Sequence, residues 1–355
     1  MKYSEQQIEH YNEITADLLA ALPSYVLSYV NSKMDHLGYR TRCGYVQDIA
    51  VFFHWLKNAN STLKDVDIRD IPLDVLDSLT ADDLDEYMGY LTQYTIDGKT
   101  WRNSPTSKAR KLSSLRSFYL FLNKRSKISH NPAALVETPQ IPKKDNVRVL
   151  SQEERDELYN IILKGTYDEG SKGAEIHDVL AKRDYAIVIL FLGSGLRISE
   201  LAGIDLNDIN FVTGQINVIR KGASFNHIFV NGDVLDALEE YIYECRDRLK
   251  PNEDAMDALF LSRKHNRMST RSIQVMLKKY TDALWGDKHG ITPHKLRATY
   301  GTQVQEEFND IFLTATVMNH KSTDVTAQRY LNKKEESLIK ASTINVFGER
   351  NDHND

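Results

Sequence analysis

The sequence predicts a mainly α-helical protein of two domains, the second of which contains one small antiparallel sheet. The length of 355 residues fits about two domains. Apolar residues recur at spacings of three and four through residues 23–135, which is typical of amphipathic helices. Helical patterns continue beyond residue 151, where "GQINVI" and "NHIFVN" alternate as strands do and are joined by "RKGAS".

The N-terminal part begins with a polar helical extension, residues 1–22, and continues as a helical domain over residues 23–135. The segment "TRCGYVQDIAVFFHWLKN" places an apolar stripe on one helix face. Thr80 is the expected N-cap of a helix with acidic residues in its first turn. In "SPTSKARKLSSLRSFYLFLNKRS" the apolar residues from Leu112 to Leu122 are expected to point inward.

The charge of the chain is segregated, although its net value is only −5. Residues 99–150 carry twelve basic and two acidic residues, a balance of +10, and residues 263–297 carry nine and two, a balance of +7. These zones predict contact with a polyanion such as DNA. The residues expected to bind DNA are Lys108, Arg110, Lys111, Arg116, Lys143 and Lys144. Ordinary solvated helix faces remain the alternative.

A linker is predicted over residues 136–150, in a proline-containing stretch without periodicity. The second domain is expected to span residues 151–340. It opens with Ser151 and Glu154 in the spacing of a capping box. The stretch "AKRDYAIVILFLGSGLRISELAGI" then predicts a buried helix, a glycine break and a second helix start.

The expected location is the cytoplasm. The two cysteines, Cys43 and Cys245, fit no disulfide framework and no zinc site. The N-terminus lacks a signal peptide, and the longest apolar run, at 185–193, is too short to cross a bilayer. The glycines of "GSGLRISEL" match neither a Walker loop nor a dinucleotide fingerprint, so we expect no nucleotide cofactor.

Several residues could act on a phosphate group. Arg197 follows a glycine turn at a helix start and could hold a phosphate with two donors, although pairing with Glu200 is the plainer interpretation. Lys221 lies at the hairpin tip, where most lysines are merely solvated. Thr292 and Pro293 predict a helix start that places His294 and Arg297 one turn apart, near an anion-binding helix end.

His320 and Tyr330 follow in the chain. A phenol has a pKa near 10 and needs a base or cationic neighbours to attack a phosphorus atom. Two arginines and two histidines around one phosphate would provide that help and would neutralise a pentavalent transition state. This chemistry requires no metal ion, and the sequence contains no acidic cluster suited to two-metal catalysis.

In this order, Arg197, Lys221, His294-x-x-Arg297, His320 and Tyr330 resemble the active site of the tyrosine recombinases. "KLSSLRSFYLFL" and "HNPA" in the N-terminal part are similar to the core-binding domain of the Xer recombinases, most of all those that act as a single protein. The resemblance implies a helical, SAM-like core-binding domain followed by the mixed α/β catalytic domain of the integrase fold.

The resemblance also implies roles. Tyr330 would form a 3′-phosphotyrosyl bond, Arg197 and Arg297 would clamp the phosphate, and Lys221 would protonate the leaving 5′-oxygen. His294 would act as acid or base, His320 would bond the phosphate, and Glu200 would support the pocket. The implied partners are double-stranded DNA with a dif-like site, three further copies in a homotetramer, and a septal DNA translocase of the FtsK type, with no cofactor and no membrane insertion.

The implied process is the resolution of chromosome dimers during cell division, through a Holliday junction. Residues 341–355 would be a tail that docks into a neighbouring protomer. Two features depart from the family pattern: Met318-Asn319-His320 replaces Leu-Gly-His, and ten residues instead of nine separate His320 from Tyr330. An integrase of a mobile element, a type IB topoisomerase and a DNA-binding protein without catalysis remain the alternatives.

Overall fold

The computed structural model describes residues 3–142, 148–165, 172–219, 225–286 and 290–319 of the chain. The chain folds into two compact units that divide after residue 143, within the stretch expected to be the linker. The predicted mainly helical fold with small antiparallel sheets is confirmed.

The described residues of the first unit, 3–142, form six helices and one β-hairpin. Its helices and strands are α1 (Tyr3–Ala20), α2 (Ser24–Asn31), α3 (Tyr39–Ala59), α4 (Leu73–Ser78), α5 (Ala81–Tyr90), β1 (Gln93–Ile96), β2 (Lys99–Arg102) and α6 (Pro105–Lys124). Short 3₁₀ turns lie at Ser61–Leu63, Ile68–Asp70 and Pro132–Ala134.

Local signals fix where these helices begin. Thr80 caps α5 as expected and forms a reciprocal capping box with Asp83, so two backbone N–H groups at the helix start are satisfied. Ser104 caps α6 and Pro105 occupies its first position, where the missing N–H of proline costs nothing. The predicted start of α5 is therefore confirmed.

An aromatic cluster fills the core of the first unit. Phe118 of α6 lies 6.3 Å from Tyr25 and 5.3 Å from Tyr29 between ring centroids, and Phe52 of α3 meets Tyr87 of α5 edge to face at 5.4 Å. The residues of α6 that were expected to point inward, Leu112, Leu115, Phe118, Tyr119 and Leu122, are at most 2% exposed. The helical spacing therefore identified the buried face of α6.

The hairpin β1–β2 corrects the expectation that residues 23–135 are helical throughout. The helix pattern of "TADDLDEYMGYLTQY" breaks after Tyr90, and Gln93 begins a strand. Asp97 and Gly98 both have positive φ, 51° and 73°, which is the backbone of a two-residue type I′ turn. An Asp-Gly pair beside β-branched threonines was the sequence signal for this hairpin.

The second unit is built around one long helix, α8. Its helices and strands are α7 (Gln152–Lys164), α8 (Lys172–Ser194), α9 (Ile198–Ala202), β3 (Ile209–Asn210), β4 (Gln215–Ile219), β5 (Phe225–Phe229), α10 (Gly232–Tyr241), α11 (Asp247–Leu249), α12 (Thr270–Trp285), α13 (Pro293–Phe308) and α14 (Ile311–Val317). A π turn spans Ile242–Arg246, and 3₁₀ turns lie at Leu206–Asp208 and Glu253–Ala255.

The apolar run at 185–193 forms the C-terminal part of α8, which packs against α7, α10 and α13. The predicted hairpin is confirmed as β4 and β5, which pair antiparallel with Ile216 opposite Ile228. A third short strand, β3, pairs with β4 in the same sheet, and the sequence did not predict this strand. Ser151 and Glu154 form the expected capping box at the start of α7.

Candidate functional site

Arg197 is held at the start of α9 by Glu200. The backbone N–H of Arg197 donates to Oε2 of Glu200 at 2.8 Å, and Nη1 donates to Oε1 at 2.8 Å. The Glu200 side chain is 5% exposed, whereas the Arg197 side chain is 41% exposed. The ion pair that was weighed as the plain alternative is therefore present, and it fixes the guanidinium at the protein surface.

Arg297 lies at the start of the second turn of α13 and is buried. Thr292 caps this helix and Pro293 begins it, as predicted. Nη1 of Arg297 donates to the carbonyl oxygen of Gly195, and Nη2 donates to that of Met318. The guanidinium is thus bonded to the glycine turn after α8 and to the end of α14.

The two arginines meet at the C-terminal end of α14. Nη2 of Arg197 donates to the carbonyl oxygen of Asn319 at 3.0 Å, one residue beyond the Met318 carbonyl that Arg297 binds. Carbonyl groups at the end of a helix lack intrahelical partners and attract cations. The structure therefore brings together two arginines that are 100 positions apart in the sequence.

Asn319, whose carbonyl oxygen accepts from Arg197, has a left-handed backbone conformation. Its φ is +45°, and its N–H donates to Thr316 O at the end of α14. Only glycine, and to a lesser degree asparagine and aspartate, adopts this conformation readily. The replacement of the family's glycine by asparagine, noted in the sequence as a departure, is thus compatible with the same turn.

Gly195, whose carbonyl oxygen accepts from Arg297, has a φ of +61°. A Cβ atom at this position would overlap the ring of Tyr300 and would lie 3.1 Å from Sδ of Met318. Tyr300 itself is half-buried, and burial raises the pKa of its phenol. A raised pKa leaves less phenolate at neutral pH, which makes Tyr300 a poor nucleophile.

The histidine of the His-x-x-Arg pair has a different environment from the arginine. His294 and Arg297 are one turn apart on α13 as predicted, but His294 is exposed while Arg297 is 5% exposed. The imidazole is thus accessible at the surface near the helix start. Lys221, His320, Tyr330, Lys143, Lys144 and the tail 341–355 lie outside the described residues.

The four cations of α6 that were predicted to bind DNA are held in different ways. Lys111 is buried, and its ammonium donates to Asp48 at 3.0 Å. Arg110 donates to both carboxylate oxygens of Asp48, at 2.5 and 2.7 Å, and its side chain is 53% exposed. Asp48, on α3, is itself 2% exposed. Lys111 therefore has a structural contact, and only its sequence position supports the prediction that it binds DNA.

Arg116 binds the chain that follows α6. Its Nε donates to the carbonyl oxygen of Ala133 at 3.0 Å and its Nη1 to Thr138 Oγ1 at 2.9 Å. Lys108 lies near the start of α6 and donates to Thr92 Oγ1 at 3.1 Å, in an exposed contact. The ammonium of Lys108 thus has one described contact, with a neutral and exposed hydroxyl, whereas Arg116 is bonded to several groups of the chain after α6.

Sequence reasoning proposed both arginines and Glu200 as site residues but did not predict what holds the arginines. The acceptors are the main-chain carbonyls of residues 195, 318 and 319. Because every residue has a main-chain carbonyl, the sequence does not show which of them accept these hydrogen bonds. The asparagine where the family has glycine was the one available indication of the turn at 319. The ion pairs of Asp48 with Arg110 and Lys111, here called the Asp48 cluster, were missed because Asp48 lies 62 residues from Arg110.

Among the residues that the structure describes, no three His, Cys, Asp or Glu side chains form a metal-binding group. Within the same residues, no helix is long and apolar enough to span a membrane. The described part of the site thus consists of two guanidinium groups, one carboxylate that orients the first, and three main-chain carbonyls.

Comparison with known proteins adds to this geometry. The sequence matches the phage integrase family over residues 148–337. It is 32% identical over 317 residues to the tyrosine recombinase XerC of Caldanaerobacter subterraneus subsp. tengcongensis, covering 86% of this chain and 81% of that protein. It is 30% identical over 337 residues to the tyrosine recombinase XerS of Streptococcus mutans, covering 87% of this chain and 92% of XerS.

Two solved structures share the fold. The XerH recombinase in a pre-cleavage complex with its difH substrate has a TM-score of 0.60 and 16% identity, covering 86% of this chain and 79% of XerH. The Tn1549 transposon integrase bound to circular intermediate DNA has a TM-score of 0.62 and 18% identity, covering 89% of this chain and 98% of the integrase chain.

Proposed function

The chain belongs to the phage integrase family, the tyrosine recombinases, and from that membership we propose that Tyr330 is the nucleophile with which it cuts and rejoins DNA. The Tyr330 oxygen attacks the scissile phosphorus, the bond to the 5′-oxygen breaks, and a 3′-phosphotyrosyl link forms. A 5′-hydroxyl of the partner strand then attacks that link and releases Tyr330. One phosphoester replaces another at each step, so no external energy source is needed.

The observation that carries this proposal is the convergence of Arg197 and Arg297 at one place. Guanidinium groups present several donors in a plane and suit the non-bridging oxygens of a phosphate. Each described guanidinium uses part of its donors on carbonyl groups that fix its direction. A pair of oriented cations stabilises the extra negative charge of the transition state without reorganising during the reaction.

The roles of the remaining site residues are those that the resemblance to the tyrosine recombinases implies. Lys221 protonates the leaving 5′-oxygen, His294 exchanges a proton with the tyrosine, and His320 bonds the phosphate. Glu200 orients Arg197 through the ion pair described above. The exposed position of His294 at the start of α13 suits a group that meets DNA from outside.

The biological role we propose is the resolution of chromosome dimers at a dif-like site during cell division. Relatives that match over most of their length include a XerC and a XerS protein, which supports this role. Four copies would hold two duplexes, residues 341–355 would dock into a neighbouring copy, and a septal translocase of the FtsK type would regulate the reaction. Strand exchange between two separate duplexes distinguishes this function from that of a type IB topoisomerase, which reseals the strand it cut.

Covalent trapping tests the nucleophile. On a nicked suicide duplex with a dif-like site, wild-type protein is expected to form an adduct that survives a denaturing gel. Tyr330→Phe removes the attacking oxygen, so the adduct is expected to be absent while binding to the same duplex is retained. Tyr300→Phe is the matched control and should still form the adduct. An adduct that persists in Tyr330→Phe would disprove the assignment.

Asn319 offers a second test, of the turn that holds the arginines. Asn319→Gly keeps the positive φ accessible and should cleave at the wild-type rate. Asn319→Val introduces a β-branched residue that avoids this conformation, so the carbonyl would turn away from Arg197. We expect cleavage to slow by about 100-fold, the usual effect of a misplacement of about 1 Å. Equal rates for the valine and glycine variants, measured at saturating DNA, would contradict the role of the turn.

A further inference from the structure

We infer that the outward face of the β1–β2 hairpin reads base pairs in a groove of double-stranded DNA, with Lys108 bound to a phosphate beside it. The inference rests on the proposed function, because it concerns the DNA that the recombinase recognises. It adds a sequence-reading element that lies apart from the residues of the cleavage site.

The register of the hairpin gives it two different faces. Tyr94 lies opposite Trp101 and Ile96 opposite Lys99. On this face the β1 residues rest on the unit, since Tyr94 is 6% exposed and stacks on Tyr90 at 5.1 Å, whereas Trp101 on β2 is 44% exposed. Lys99 lies over the Trp101 ring at 4.1 Å. The hairpin is therefore anchored through one face, which leaves the other available to a partner.

The outward face consists of two cross-strand pairs. Arg102 Nε donates to Gln93 Oε1 at 2.9 Å, and the hydroxyls of Thr95 and Thr100 are 3.0 Å apart. All four side chains are exposed. The face is thus a row of donors and acceptors with one positive charge and no carboxylate.

The charge around this face favours a polyanion. Residues 98–111 contain five cations and no acidic residue. Arg110 and Lys111 pair with the buried Asp48, so Lys99, Arg102 and Lys108 are the cations of this stretch without a described carboxylate partner. Lys108 reaches Thr92 at the base of the hairpin. The carboxylate of Asp97 is confined to the turn, and the acidic residues of α5 lie in its first two turns, while the hairpin follows its last.

Size and side-chain chemistry identify the groove. A two-stranded ribbon fits the major groove of B-form DNA. Arginine bonds the O6 and N7 atoms of guanine, and glutamine bonds the N6 and N7 atoms of adenine, each with two hydrogen bonds. Arg102 and Gln93 present these two groups side by side on the outward face. Lys108, a flexible point charge, suits a phosphate at the groove edge.

Selection from a pool of duplexes with a randomised core tests this inference without a known target site. The full-length protein and its variants each select bound duplexes, and the recovered sequences are compared. Arg102→Ala is expected to lose a preference of about 5- to 150-fold at one base pair, which is the value of one bidentate contact. Gln93→Ala is expected to lose preference at an adjacent base pair.

Two further variants separate base reading from charge. Arg102→Lys keeps the charge but loses the planar fork, so it should lose the base preference while the salt dependence of binding stays unchanged. Lys108→Ala should weaken binding to all sequences alike and lower the slope of log K against log salt by about 1. Arg69→Ala, an exposed arginine paired with Asp67 in the same unit, is the matched control and should select the wild-type motif.

The outcomes distinguish the inference from the function on which it rests. If the wild type selects a motif and both Arg102→Ala and Gln93→Ala select it with the same preference at every position, the inference is wrong while DNA recognition stands. If the wild type selects no motif, the proposed site-specific function fails and the inference fails with it. Loss of preference at one or two base pairs in the hairpin variants alone supports it.

Discussion

Gly195→Ala is expected to reduce DNA strand cleavage by about 100-fold, because it displaces the buried arginine of the site. Gly195 has a φ of +61°, which L-residues with a Cβ atom seldom adopt. The added methyl group would also overlap the Tyr300 ring and press on Sδ of Met318. Neither neighbour can retreat easily, because Met318 is fully buried and Tyr300 lies within α13.

The effect on catalysis follows from what the same turn holds. The Gly195 carbonyl accepts a hydrogen bond from Arg297, and Met318 supplies the second acceptor. A shift of either group changes the direction of the guanidinium, and the transition state depends on that direction. We also expect the substitution to cost about 1–3 kcal/mol of stability, from the strained backbone.

The rate of adduct formation on a suicide duplex is the measurement, together with thermal unfolding of the same preparation. Gly232→Ala is the matched control: it lies in the same unit at the start of α10, and no atom lies within 4 Å of the position of its Cβ. The control should cleave normally. If Gly195→Ala cleaved as fast as the control, the contact between the turn and Arg297 would have no catalytic importance.

Asp48→Ala is expected to lower the free energy of unfolding of the first unit by about 3–5 kcal/mol. Asp48 is 2% exposed and accepts hydrogen bonds from Arg110, from Lys111 at 3.0 Å and from Ser114 Oγ at 2.7 Å. It joins α3 to α6, the two helices at the centre of the aromatic core. Its removal leaves the buried ammonium of Lys111 without its anion, and an unpaired buried charge is costly.

Urea unfolding followed by circular dichroism measures this effect. Asp67→Ala is the matched control, because Asp67 forms an exposed ion pair with Arg69 at 2.9 Å and such pairs contribute little. Asp48→Asn, which keeps the shape and removes the charge, should fall between the wild type and Asp48→Ala. A midpoint for Asp48→Ala equal to that of the control would show that the cluster does not stabilise the unit.

The same cluster bears on the basic zone of α6. Residues 99–150 have a charge balance of +10, yet Lys111 and Arg110 share one buried carboxylate within the fold. Charge counted along the sequence therefore overstates what this helix can offer DNA. Within the same zone, Arg102 is exposed on the hairpin in front of α6 and Lys108 lies at the base of that hairpin, a position that the helix pattern did not reveal.

The sequence by itself determined the features that depend on neighbouring residues. Capping residues at Thr80, Ser151 and Thr292 gave the starts of α5, α7 and α13, because a cap acts within one helical turn. The spacing of apolar residues gave the buried face of α6, and alternation gave β4 and β5. The order of Arg197, His294 and Arg297 among their flanking residues indicated the family.

Only the tertiary structure decided which distant groups meet. The hydrogen bonds of Arg197 and Arg297 end on main-chain carbonyls, and residue type says nothing about the direction of a carbonyl. Asp48 met Lys111 because α3 and α6 pack together, 63 residues apart in the chain. The β1–β2 hairpin formed where a local turn signal outweighed a helical pattern that continued to Tyr94. Contacts of this kind depend on packing across the whole unit, so a linear pattern cannot specify them.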